Sequence, residues 1–148
     1  MTDNKAMEVI RNVLKTQNLG VLATFGEQYP YTSLVGFVQG EDEKNIIFTT
    51  SKKTRKYTNL TRRPEISILI NTGENRHSDF KVAAAVTALG KAIEVTLQER
   101  VLAKELYLKK FPFLEDFVND PACAFIKVDV KKYVVVTRFQ EINEVTFE

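Results

Sequence analysis

Cysteine, histidine and tryptophan are almost absent from this 148-residue chain, which has one cysteine, one histidine and no tryptophan. A lone Cys123 closes no intrachain disulfide, so a reducing cytoplasm is the expected setting, and in its apolar surroundings Cys123 reads as a small core residue. A lone His77, in the polar run NTGENRHSD, makes no metal site and reads as a surface side chain. Six glycines and four prolines leave no linker at which to divide the chain, and one domain over residues 1–148 is expected. No apolar run approaches membrane-spanning length, so no membrane partner is expected. The start, MTDNKAMEVIRNVLK, scatters charge where a secretory leader needs an apolar centre. A net charge of +2 is too small to argue for nucleic acid by itself.

What is present is an ordinary globular composition, 44% hydrophobic and 27% charged, long enough to bury a core. Thr2 or Asp3 caps a first helix with Ala6, Met7, Ile10, Val13 and Leu14 on one stripe, and Gly20 ends that stretch. Strands follow at Val21–Phe25, Tyr31–Val38 and from Ile46, joined by short loops as a meander. Phe80–Val95 reads as one long strand, bent or bulged by Ala83, Ala84, Ala85 and Gly90, or approached closely by another backbone. Thr96-Leu97-Gln98-Glu99 is a capping box, so a helix starts there and stops before Pro112. A further turn spans Phe113–Asn119, two strands follow at Ala122–Val130 and Lys132–Phe139, and the chain ends in a polar tail. Clustered strands with short loops predict an α+β chain, with an antiparallel barrel as its closed form.

The stretch Ile46–Ile70, IIFTTSKKTRKYTNLTRRPEISILI, stands apart. Its first strand passes into Thr49, Thr50 and Ser51, then into a helix start carrying Lys52, Lys53, Arg55 and Lys56. It closes at Arg63-Pro64 and re-enters a strand. No acidic residue occurs between Lys44 and Pro64, although the chain has 21 basic and 19 acidic residues. Short cationic runs are commonly solvated helix faces; position at a strand-to-helix junction distinguishes this one. Hydroxyls, free N–H groups and cations at a helix start are what a phosphate monoester requires. Tyr57 and Leu60 share one face that docks on the body, while Lys53 and Lys56 point together in another direction.

Three segments, GVLATFGEQYPYTSLVGFV, IIFTTSKKTRKYTNLTRRPEISILI and VTALGKAIEV, resemble the flavin-binding split-barrel family related to pyridoxamine 5'-phosphate oxidase. The resemblance runs from Leu19 to Phe139, and its most specific part is T-T-S-x-x-x-R-K-x-x-N-L-x-x-x-P. It implies a six- to seven-stranded antiparallel split β-barrel with flanking helices, forming a homodimer with FMN in a groove between subunits. It further implies that Thr50, Ser51, Arg55 and Lys56 contact the FMN phosphate and that Thr49 lies near the ring. Thr32, Ser33 and Leu34 would line the isoalloxazine, and the loop Asn75-Arg76 would reach toward the cofactor. The oxidase itself carries C-terminal Arg and His residues for its pyridoxal substrate; this chain ends in VTRFQEINEVTFE without them. The resemblance therefore implies an FMN-dependent oxidoreductase acting on some other small molecule. The alternative is a non-catalytic holder of FMN, haem or a deazaflavin. A nucleic-acid binder would need interleaved aromatics and a wider basic face, which the Lys52–Arg63 run lacks.

Overall fold

In a computed structural model covering residues 1–148, the first helix, α1, runs Asp3–Thr16 and is capped by the Thr2 side chain, which accepts from the Lys5 N–H. Its stripe of Ala6, Ile10, Val13 and Leu14 is buried. The helix stops at Thr16, so Gly20 is not its terminator. It lies inside β1 (Leu19–Phe25), where a Cβ would sit 2.8 Å from Ile68 Cγ2. Close packing against the neighbouring strand, not a turn, is what calls for glycine there.

The chain continues through β2 (Pro30–Gln39), β3 (Asn45–Ser51), α2 (Arg55–Arg62) and β4 (Glu65–Asn71), then α3 (Asp79–Val82) and β5 (Ala84–Glu94). After α4 (Leu97–Lys110), a short 3-10 turn at Pro112–Leu114 and α5 (Glu115–Asn119) come β6 (Cys123–Thr137) and β7 (Glu141–Thr146). All strand pairs are antiparallel, in the order β3-β2-β1-β4-β5-β6-β7. A further pairing of β3 with β6 closes six strands into a barrel, with β7 added outside it. The expected α+β split barrel with flanking helices is therefore what the chain forms.

Three local expectations change. The segment Asp79–Val82 is a helical turn, not strand, because the Asp79 carboxylate accepts from the N–H groups of Glu74, Asn75 and Arg76 and folds the loop over itself. Those bonds also hold the Asp79 carboxyl below the usual range. The two strands expected at Ala122–Val130 and Lys132–Phe139 are one, because the register shift at Leu89/Gly90 absorbs Lys131 and lets β6 run on. The polar tail is a strand, β7, since β6 outruns β3 and leaves its Lys132–Thr137 half free to pair.

Strand alternation separates two cores. Phe37, Phe48, Ile68, Val86, Ile126 and Tyr133 point into the barrel with the α1 stripe and Leu60 of α2. Because β1 leaves α1 at one end and delivers the Phe25 carbonyl to Arg62 at the other (2.9 Å), the two helices cover opposite openings. A second core lies outside the wall, where Ile47, Cys123 and Phe125 meet Ala103, Tyr107 and Phe111 of the α4 region. Cys123 is buried there, as expected, and burial pushes its thiol up. The capping box forms as expected, with Thr96 and Glu99 each bonding the other's backbone N–H. Lys110 then fastens the end of α4 by donating to the carbonyls of Gln17 (2.7 Å) and Phe37 (2.9 Å), and burial lowers its pKa to about 8.

Candidate functional site

The end of β3 turns into α2 through a ladder of hydroxyls. Thr50 is buried, and its Oγ lies 2.9 Å from Thr54 Oγ. Thr54 donates to the Ser51 carbonyl at 2.7 Å and caps α2 by accepting from the Tyr57 N–H. Ser51 Oγ accepts from the Lys53 N–H at 3.2 Å. Extended backbone thus becomes helix within four residues, and the first turn of α2 opens beside three hydroxyl groups.

Charge at this turn is uneven. Lys52 pairs with Glu94 at 3.5 Å, Arg62 with Glu27 at 3.8 Å and Arg63 with Glu65 at 4.0 Å. Lys53, Arg55 and Lys56 have no carboxylate partner. Arg55 instead lies 5.7 Å over the ring of Tyr31, and Lys56 is half-buried on the first turn of the helix. Three uncompensated cations at a helix N-terminus make a local positive field in which a dianion is stabilised by charge, dipole and hydrogen bonds together. A solvated helix face would show acidic partners at i±4, and α2 has no acidic residue in its first turn. Tyr57 is half-buried, not core, and its hydroxyl donates to Glu94 at 2.5 Å, so α2 is clamped to β5 by the same carboxylate that neutralises Lys52.

Beside the turn a cleft of about 690 Å³ opens between α2 and the β1–β2 hairpin. It shares Lys53, Thr54 and Arg55 with the hydroxyl ladder.

The expected site residues fall into four groups. Thr50, Ser51, Arg55 and Lys56 come together at the β3–α2 junction. Thr49 is on the opposite face of β3: it is buried against α4, and its hydroxyl donates to Tyr107 Oη at 3.0 Å. Tyr107 in turn donates to the Gly36 carbonyl at 3.2 Å, tying β2, β3 and α4 together. Replacing Tyr107 with Phe is expected to cost about 1–2 kcal/mol of stability by orphaning both partners, read as a lower denaturation midpoint; an unchanged midpoint would show that the bridge is dispensable. On β2, Thr32 and Leu34 face outward, Leu34 being 65% exposed, whereas Ser33 turns inward and its Oγ is a buried side-chain oxygen with no hydrogen-bond partner. Asn75 and Arg76 lie beyond the far end of β4. That seven-residue strand spans roughly 20 Å, so within one chain they are far from α2. Arg76 pairs with Glu74 there at 3.3 Å.

Sequence reasoning passed over Thr54, the hinge of the hydroxyl ladder. The signal was available, since a threonine before a cationic turn is a helix N-cap. It also passed over Asn59, whose buried amide donates to Thr24 Oγ at 3.0 Å and seats α2 on the barrel.

Solved structures place the architecture. The chain is similar to a heme-binding protein from Mycobacterium smegmatis (TM-score 0.85, 21% identity, 99% of this chain), and spans 60% of that protein's length. It is similar to an FAD-binding protein from Mesorhizobium loti (TM-score 0.70, 17% identity, 88% of this chain and 90% of that one). It is also similar to a protein from Clostridium acetobutylicum related to general stress protein 26, of the pyridoxinephosphate oxidase family (TM-score 0.77, 13% identity, 98% and 96%). At these identities the likeness is one of fold. No curated protein matches by sequence. No helix is long and apolar enough to cross a membrane. The family model described as pyridoxamine 5'-phosphate oxidase, in contrast, matches residues 6–137, which takes in the barrel and the whole β3–α2 junction. On that match the chain belongs to the pyridoxamine 5'-phosphate oxidase family.

Proposed function

We propose that this chain is an FMN-binding flavoprotein that acts as an oxidoreductase on a small molecule. The observation that carries the reading is the set of uncompensated cations, Lys53, Arg55 and Lys56, beside the hydroxyls of Thr50, Ser51 and Thr54. This donor set fits a phosphate monoester: the Ser51 hydroxyl proton is unspent and three cations stand beside it, while Thr50 and Thr54 bond within the ladder and hold the turn in shape. Arg55 and Lys56 neutralise the phosphate, the Ser51 hydroxyl and the first N–H groups of α2 orient it, and Thr32 and Leu34 offer an outward-facing wall for the ring. When bound, the flavin supplies the redox chemistry, and the protein's part is anchoring, orientation and exclusion of water.

A homodimer belongs to the same reading. The outer face of the sheet carries Leu34, Leu69 and Leu89, all exposed, on neighbouring strands with Val21 between the first two in register. Contiguous exposed apolar surface of this kind is normally covered by a partner. A second copy on this face is also the route by which Arg76 could reach an anchor it cannot reach in its own chain.

The purified protein is expected to carry a yellow flavin chromophore whose mass is that of a flavin phosphate, on a particle of twice the chain mass. A colourless monomer that takes up no FMN would defeat the proposal, and a copurifying haem spectrum would favour the non-catalytic holder. A haem holder has a poor start here: the only histidine, His77, is exposed in the far loop rather than near the α2 cleft.

A further inference from the structure

The turn between β6 and β7 is strained, and it carries an aromatic ring outward. Arg138 and Phe139 have φ of 50° and 67°, in the left-handed region that residues other than glycine avoid. The Gln140 N–H donates to the Arg138 carbonyl at 2.8 Å, so Phe139 is the centre of a three-residue turn of the unfavourable hand. Its ring is 62% exposed and meets Phe80, itself 57% exposed, with centroids 4.9 Å apart. One such pair returns less than two strained residues cost, so the fold of a single chain does not account for this turn. Val82 and Ile142, close by in the sequence, are exposed as well. The outer face of the sheet holds a hollow of about 380 Å³ at its other edge, walled by Leu19, Val21, Leu34 and Leu69 and free of charged residues. Register puts hollow and aromatic turn at one end of the strands: Asn71 of the hollow pairs with Ala85, Ala85 with Val136 and Val136 with Ile142.

We propose that the Phe80–Phe139 projection of one copy seats in the hollow at Leu19 and Leu34 of a second copy, latching the homodimer on both sides of its interface. The inference rests on the homodimer put forward above and names the contact that closes it. A two-fold axis along the middle strands, β4 and β5, exchanges the two edges of the sheet and keeps the strand end. It therefore sets each projection opposite the other copy's hollow, and a single rotation fills both. Barrel walls are convex, so two copies meet along their middle strands and part toward the edges. β7 extends the sheet beyond the barrel, which makes its turn the element that reaches across the gap. Apolar rings entering an uncharged apolar hollow match in chemistry. Leu34 also belongs to the wall offered to the flavin ring, so the latch closes the groove beside the cofactor.

Sedimentation equilibrium of the full chain gives the dimer dissociation constant, and Phe139→Gly is the deciding variant. Glycine accepts the positive φ and removes the ring. The thermal midpoint of the dilute, monomeric chain is therefore expected to hold or rise while the dimer weakens about tenfold or more. Leu19→Ala, on the hollow side, should weaken the dimer too. The double variant should lose less than the product of the single losses, because both changes remove one contact. An unchanged dissociation constant in Phe139→Gly, with or without a lower midpoint, would overturn the latch and leave the homodimer standing. Losses that multiply fully would place Phe139 elsewhere and overturn its pairing with the hollow. A wild-type chain that stays monomeric at every concentration would defeat the homodimer and this inference together, without touching the phosphate anchor.

Discussion

Replacing Lys56 with alanine is expected to weaken FMN binding roughly ten- to hundred-fold, the loss of one charge-assisted contact worth ~1.5–3 kcal/mol. The side chain is well placed to report on the anchor. It is on the first turn of α2, is half-buried and makes no ion pair, so its removal orphans no carboxylate. Lys52 would be a poorer probe, because Glu94 already holds it and also holds the Tyr57 hydroxyl that clamps the helix. Riboflavin, which has the same ring and no phosphate, supplies the control. Its affinity should be the same in wild type and Lys56→Ala, and a parallel loss would mean that the substitution damages the helix rather than the anchor. The thermal midpoint of the flavin-free protein should hold or rise slightly, because like charges crowd this turn. Added salt should weaken FMN only modestly, since a partly buried pair is screened less than an exposed one.

Gly90→Ala is expected to destabilise the fold by about 3 kcal/mol, lowering the denaturation midpoint by roughly 6–12 °C for a chain of this size. A Cβ at Gly90 would lie 2.2 Å from the Asp129 carbonyl oxygen, 2.9 Å from its carbon and 3.0 Å from Val130 Cα. All three are backbone atoms in the centre of the longest strand, so none can rotate away. The contact arises because the β5–β6 register slips here: Leu89 pairs with Lys132 but Gly90 with Val130. Gly36→Ala is the control. Its nearest obstacle is the Tyr107 hydroxyl at 3.1 Å, the end of a side chain, so its cost should be clearly smaller. A midpoint for Gly90→Ala equal to that of wild type would show that the bulge relaxes, and that close backbone approach is not what selects glycine.

Much of the architecture was legible because local chemistry and tertiary structure agree. The α1 stripe, the Thr96–Glu99 capping box and the meander of β1, β2 and β3 each express a period or a cap that a short window contains. The bulge at Gly90 was legible for the same reason, since a glycine set among small residues in a strand marks a bulge or a close backbone approach. Where the reading failed, a distant partner decided. Nothing between Ala122 and Phe139 announces that Lys131 is absorbed by a bulge in β6 opposite Leu89 and Gly90, which lets one long strand stand where two short ones were expected. Nothing in EINEVT announces that β6 outruns β3 and offers an edge. Asp79 overrides the strand preference of Val82 by gathering three N–H groups from a loop that a propensity scale treats as featureless.

The site divides in the same way. Sequence alone determined the cationic, acid-free turn at the β3–α2 junction, because a helix start needs a cap and a phosphate needs donors, and both requirements are met by neighbours in the chain. Only the tertiary structure decided which of those groups remain free. Glu94 arrives from β5 and Glu27 from the β1–β2 turn to neutralise Lys52 and Arg62, Glu65 takes Arg63 from two residues along, and Lys53, Arg55 and Lys56 are left without partners. The fold likewise turned Thr49 away to Tyr107, placed Arg76 at the other end of β4 and brought the β1–β2 hairpin beside α2 to make a cleft. Neutralisation of Lys52 and Arg62, like strand facing, depends on residues dozens of positions away, so no local window contains it.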